Sequence, residues 1–203
     1  MELFFSHTKK HKRVVIASSL IAGSLALLFS LIQPLEYSSS VRLLVLQKNQ
    51  SSMDPYTALK AAEQVGDTLS QVVYTSAFLD RVLTLDQTID QKIFSSNERK
   101  KRKTWNKMAE TRSGRGNGFL TITVYHRDKV EARKIVQAVT NVLVTEGWQY
   151  VNSDIVIRVV DSPLDSRFPV RPDIPVNVFA GCVCGVFIGF AFTLHDERKK
   201  RNA

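Results

Sequence analysis

The chain has 203 residues, a formal net charge of +9 and a hydrophobic fraction of 44% concentrated at its two ends. That size allows one modest domain with accessory segments. The two cysteines, Cys182 and Cys184, lie two apart in an apolar run; they cannot face each other on a helix, which excludes a framework disulfide and leaves them as small apolar packing residues.

Residues 1–13 form a basic N-terminus ending in Lys9, Lys10, His11, Lys12 and Arg13. Val14 to Ile32 follows, 19 residues with no charge. That is longer than the apolar core of a signal peptide, and Gln33-Pro-Leu-Glu offers no small-x-small cleavage site, so a retained transmembrane helix is expected over 14–32. Leu3, Phe4 and Phe5 read as a short interfacial anchor.

Residues 33–162 read as a small extracytoplasmic α/β domain. Between the two apolar runs lie roughly 140 residues, enough for one core. Val41–Leu46 alternates as a strand. Gln47 to Met53 is a polar turn, and Asp54-Pro55 starts a helix with a capping carboxylate followed by proline. Ala58, Ala61, Ala62, Val65, Leu69, Val72 and Val73 keep its helical spacing. Ser76 restarts a second helix through Leu83, with Phe78, Leu79 and Val82 on its buried side.

Residues 84–118 are the least patterned. Asn97 to Arg112 is expected as a basic helix with Trp105 and Met108 as its apolar contacts. Gly114, Gly116 and Gly118 precede a strand rather than opening a helix after one, so they read as a turn and not as a dinucleotide loop. Phe119–Tyr125 is the clearest strand. Asp128 caps a long helix, with Glu131 placed for a capping box, and Ala132, Ile135, Val136, Val139, Val142 and Leu143 form its apolar face. Ile155–Val160 is a third strand. The fold class expected is α+β: two transmembrane helices flanking a small sheet of about three or more strands covered by helices.

Residues 163–175 form a proline-rich segment. Pro163, Pro169, Pro172 and Pro175 fall on a multiple-of-three grid with Ser166 in the vacant slot, which predicts a stiff polyproline II rod. Val176 to Leu194 is a second uncharged run of 19 residues, ~28 Å as a helix and one bilayer core long. Gly181, Gly185 and Gly189 recur every fourth residue and make a smooth stripe for close helix approach, read as an oligomerisation or transmembrane packing surface. Residues 195–203 are a basic tail with Arg198, Lys199, Lys200 and Arg201. Both basic clusters flank the spans on the side away from the middle of the chain, so both termini are expected in the cytoplasm and residues 33–175 outside.

This layout resembles the chain length determinant (Wzz-type) family, the polysaccharide co-polymerases. Tyr37-SSSVRLLVL is similar to the family's first strand after span one. Ser76-AFLDRVL resembles its helix entered at a serine, and Leu120-TITVYHRDKVEA its strand followed by an aspartate-capped helix. Asp161-SPLDSRFPVRP, then a span with Gly185-x-x-x-Gly189, resembles its proline-rich segment and small-residue span. Where the family commonly has serine-proline-lysine eleven residues before GxxxG, this chain has Arg171-Pro172-Asp173, with residues 174–184 filling the gap. The longer helical arm of many relatives is absent or reduced to residues 84–118. No GxxxxGK[ST] loop is present and no fused tyrosine kinase is expected after the second span.

The resemblance implies a non-catalytic, homo-oligomeric scaffold in the inner cell membrane. It would regulate polysaccharide chain length or export in capsule, O-antigen or exopolysaccharide biosynthesis. Its implied partners are other copies of itself, membrane lipid, a polysaccharide or lipid-linked sugar, a polymerase and a separate tyrosine kinase. An adaptor for such a kinase, or a membrane sensor with an outer ligand-binding domain, are alternative readings of the same hairpin.

No enzyme signal stands out. His7, His11, His126 and His195 have no second ligand at metal spacing. Asp80, Asp86 and Asp90 form no nominated acid–base pair, and no serine sits in a nucleophile elbow. No catalytic residue, cofactor or metal site is expected. Arg99, Lys100, Lys101, Arg102 and Lys103 are five consecutive cations. They read either as a solvated helix face or as a contact for acidic sugars or lipid-linked diphosphates. An outer placement argues against a nucleic-acid partner.

Overall fold

The computed structural model describes residues 2–48, 54–151 and 154–201, without the side chains of residues 2–11, 55 and 196–201. The anchor expected of Leu3, Phe4 and Phe5, most of the polar turn before Asp54, and the side chains of the outermost basic residues therefore lie outside the described residues. The elements run α1 (Glu2–Ile32), β1 (Tyr37–Gln47), α2 (Pro55–Val73), α3 (Ser76–Leu85), α4 (Glu98–Met108), β2 (Ala109–Ser113), β3 (Phe119–His126), α5 (Lys129–Glu146), β4 (Ile155–Asp165) and α6 (Ile174–Arg201). They divide into two units: a helix pair from the two ends of the chain and a central domain, Glu36–Val170.

In the helix pair, α1 stops at Ile32 because Gln33 precedes Pro34, and a residue before proline avoids the helical region. Both helices contain stretches long and apolar enough to cross a membrane, Lys12–Ile32 and Ile174–His195, and 11% of each apolar window is buried within the chain. A core helix of a water-soluble domain would bury most of that surface.

The central domain is built on a four-stranded antiparallel sheet in the order β2-β3-β1-β4. Its alternation sets one covered face. Val41, Leu43 and Val45 of β1 and Leu120, Ile122 and Val124 of β3 are buried. They meet Ile135, Val136, Val139, Val142 and Leu143 of α5 and Val65, Leu69 and Val73 of α2 in one core. The opposite residues of β3, Thr121, Thr123 and Tyr125, are only half-buried, as expected of an antiparallel sheet with one wet face.

Three local expectations are corrected. The basic helix does not reach Arg112; it ends at Met108, and Ala109–Ser113 pairs with β3 as a fourth strand. The glycine turn explains why. Gly116 and Gly118 have φ of 68° and 63°, a region open to glycine, and Gly114 donates its N–H to Phe119 O at 2.7 Å. That hairpin needs a strand on each side. The capping box is half-made: Asp128 accepts from Val130 N, but Glu131 accepts from Lys134 and from Asp90 N instead of returning to the cap. The Asp128 N–H goes to His126 Nδ1 at 3.0 Å.

The proline segment is not a polyproline rod. β4 continues through Pro163 to Asp165, and Pro175 is the second residue of α6. Both placements suit a residue with no N–H: Pro163 lies on the sheet's edge strand, and the first turn of a helix has no partners for its donors. Two register shifts against β1, between Ser40 and Arg42 and between Arg42 and Leu43, put extra residues into β4 around Val160 and Pro163. Such bulges twist an edge away from further pairing.

Candidate functional site

The glycine stripe of α6 lies against α1 of the same chain. A Cβ on Gly181 would stand 2.6 Å from Ala26 Cβ, and one on Gly185 would stand 2.6 Å from Ser18 O. One on Gly189 would stand 2.9 Å from Val15 Cα and closer still to Ser18 Oγ. The facing residues on α1 are Ser18, Ala22, Ala26 and Ser30, themselves four apart. Small residues meet small residues at each level, so the two backbones come into contact. Polar bonds fix the register: Ser18 Oγ donates to Gly185 O at 2.9 Å, Ser19 Oγ to Cys182 O at 3.1 Å, and Asn177 Nδ2 to Ser30 Oγ at 3.1 Å. Gly23 leaves room for Cys182, whose sulfur would be 2.6 Å from a Cβ there. Within one chain the stripe thus serves as the packing surface for α1. The complementary Ser18–Ser30 series was missed in the sequence, although the same four-residue spacing marks it.

The basic run sits on α4. Asn97 caps the helix, its Oδ1 accepting from Arg99 N at 3.1 Å and Lys100 N at 3.4 Å. Trp105 is fully buried, and its Nε1 donates to Val73 O at 2.7 Å. Its ring stands 6.4 Å from that of Phe94, and Met108 is buried beside it in the same core. These two anchors fix which way the rest of the helix faces. Arg99, Lys100, Arg102 and Lys103 are exposed, whereas Lys101 is mostly covered and paired with Asp80 of α3. The five cations are therefore four outward charges and one structural ion pair. A rigid row of cations attracts anionic groups through its field and offers N–H donors to their oxygens.

The four prolines belong to different elements. Pro163 lies in β4, Pro169 in the connection after it, and Pro172 and Pro175 lead into α6. Sequence reasoning also missed a polar cluster at the end of β4. Asp165, with a 9% exposed side chain, accepts from Arg133 Nη2 at 2.7 Å and Ser39 Oγ at 2.8 Å. Burial pushes its pKa up, but the bonds from Arg133 and Ser39, with the charges of Arg133 and Lys129, outweigh this and hold the carboxyl below its ordinary value. Asp165 closes the β1–β4 pairing rather than facing a cleft.

A groove of about 270 Å³ is lined by Gln47, Ala61, Gln64, Val65, Thr68, Tyr150 and Val151. Burial, then the charge of Glu146, raises the Tyr150 phenol above its usual pKa, which leaves it a neutral hydroxyl at physiological pH. Among the described residues, the groove's lining offers neutral hydrogen-bonding groups and no paired acid and base. Among the described residues, no group of three or more His, Cys, Asp or Glu is placed to hold a metal ion. His126 is occupied by its own turn, its Nδ1 accepting from Asp128 N.

Residues 3–92 match the family model of the chain length determinant protein, Wzz. The matched stretch covers nearly all of α1, then β1, α2 and α3, and ends within the short turn at Gln91–Ile93. Over that stretch the family resemblance read from the sequence is shown. No curated protein matches the chain.

Proposed function

We propose, taking the chain length determinant character of residues 3–92 as the premise, that this protein is a membrane-anchored, non-catalytic scaffold regulating polysaccharide chain length or export. The family match carries this reading. The membrane-length helices at both ends of a compact α+β domain support it independently. With basic residues flanking both apolar runs on the sides away from the middle, the positive-inside rule puts both termini in the cytoplasm and the central domain outside an inner cell membrane. Several copies would then assemble so that their central domains surround the growing polymer and organise its polymerase. Within each copy the α6 glycines pack against α1.

Arg99, Lys100, Arg102 and Lys103 are the residues best placed to meet an acidic sugar or a lipid-linked diphosphate. Replacing these four with glutamine should leave the fold intact, since Trp105 and Met108 still anchor α4. It should weaken retention of acidic polymer by the purified chain several-fold, read as co-elution from a sizing column. Equal retention would remove α4 from the polymer path. The broader reading is tested by deleting the gene and sizing the surface polysaccharide on a gel; a length distribution identical to that of the parent would overturn it.

A further inference from the structure

We propose that the end of the central sheet at which the chain enters and leaves is a footing on the lipid surface, with Phe168 and Val130 entering the headgroup layer and Arg127, Lys129 and Arg167 meeting lipid phosphates. The proposal rests on the reading that α1 and α6 span a bilayer.

Backbone pairing gathers these residues. Tyr37 at the start of β1 pairs with His126 at the end of β3, so residues 127–130, which open α5, lie at that end of the sheet. Ser39 pairs with Asp165 at the end of β4. Beyond it, Ser166 N donates to Ser38 O and Val170 N to Glu36 O, each at 2.8 Å. Between those two bonds Arg167, Phe168 and Pro169 leave the pairing as a short loop.

The side chains there are unusual for an aqueous surface. Phe168 is 77% exposed and Val130 is 60% exposed. Arg127, Lys129 and Arg167, at the same sheet end, are exposed, and among the described residues none of the three makes an ion pair. The carboxylates facing the same end are Glu36, Asp128 and Asp165. Asp128 is occupied as the cap of α5, and Asp165 is neutralised by Arg133. Exposed apolar side chains with exposed cations at one sheet end suit the boundary between acyl chains and anionic headgroups.

Chain length brings that boundary within reach whatever the angle between the two units. Four residues separate Ile32 from Tyr37, and three separate Val170 from Ile174. Fully extended, these links span at most about 18 Å and 14 Å. The headgroup region on one side of a bilayer is itself about 5–7 Å deep. The sheet end is therefore held close to the lipid surface at two points, and its loop has a short distance to cover.

The test uses the full chain in vesicles of phosphatidylethanolamine and phosphatidylglycerol, with phosphatidylcholine brominated near the glycerol end of its acyl chains as quencher. In a Cys182→Ala, Cys184→Ala background, an environment-sensitive fluorophore is placed by Phe168→Cys, Arg115→Cys or Phe187→Cys. Arg115 lies in the β2–β3 turn at the far end of the sheet, and Phe187 is an exposed residue of α6. The probes at 168 and 187 should be quenched several-fold more than the probe at 115. Arg127→Gln, Lys129→Gln and Arg167→Gln together should reduce quenching at 168 and remove its dependence on phosphatidylglycerol. Quenching at 187 with none at 168 overturns the footing alone. A 168 probe that shifts to the blue without bromine quenching, in proportion to protein density, assigns the patch to a second copy and likewise overturns it. Absence of quenching at 187 overturns the spanning reading, and the footing with it.

Discussion

Trp105 ties the basic helix to the core through two separable effects, its ring volume and one buried hydrogen bond to Val73 O. Trp105→Phe keeps most of the ring and leaves that carbonyl unpartnered, which should cost about 1–3 kcal/mol. Trp105→Ala should cost about 3–5 kcal/mol. Urea unfolding of the detergent-solubilised chain would read both, and a Trp105→Phe loss near zero would show that the hydrogen bond contributes nothing. Asp165 makes a pH prediction with a definite sign. Folding lowers its pKa, so its contribution is fully present above the unfolded carboxylate value and is lost as pH falls through the folded one. Acidification through and below the usual carboxylate range should therefore lower the urea midpoint, and Asp165→Asn should make that fall shallower. A remaining slope is expected from Glu63 and Glu146, whose pKa values are lowered first by hydrogen bonds from Lys60 and Arg81. Trp105 and Met108 were legible in the sequence as the only large apolar residues in a basic helix. The neutralising of Lys101 was not, because its partner Asp80 lies on a different helix.

Among the elements, the helix pair depends on the absence of side chains where α1 and α6 touch. Leucine at Gly185 and Gly189 would have to occupy space already filled by Ser18 and Val15. Cysteines at Ser30 and Asn177, whose side chains meet at 3.1 Å, should crosslink readily in an otherwise native pair once Cys182 and Cys184 are replaced. Gly185→Leu with Gly189→Leu should reduce that crosslink several-fold, and an unchanged yield would mean that the helices meet elsewhere. The spacing of the stripe was readable in the sequence, but its partner was not: periodicity marks a smooth face without saying which helix covers it. The same limit explains the proline grid. A three-residue period satisfies polyproline II, yet edge-strand and first-turn positions also tolerate a residue without an N–H. Strand β2 escaped because Ala109–Ser113 is short and polar on its exposed side; the glycine hairpin after it was the available signal.

Over the whole molecule, the order of spans, strands and helices was the most legible property, since long apolar runs and capped amphipathic helices are local features. Which surfaces meet is decided by packing across the chain, and there the sequence was weakest. Length control is proposed to lie with a central domain joined at both ends to a closely packed helix pair. Its most direct measurement is the size distribution of surface polysaccharide in a deletion strain carrying no copy, the native chain, or the Gly185→Leu, Gly189→Leu variant at equal abundance in the membrane. The native chain should restore a preferred length, and the variant should leave the distribution close to that of the deletion. One and the same distribution in all three strains would contradict the account.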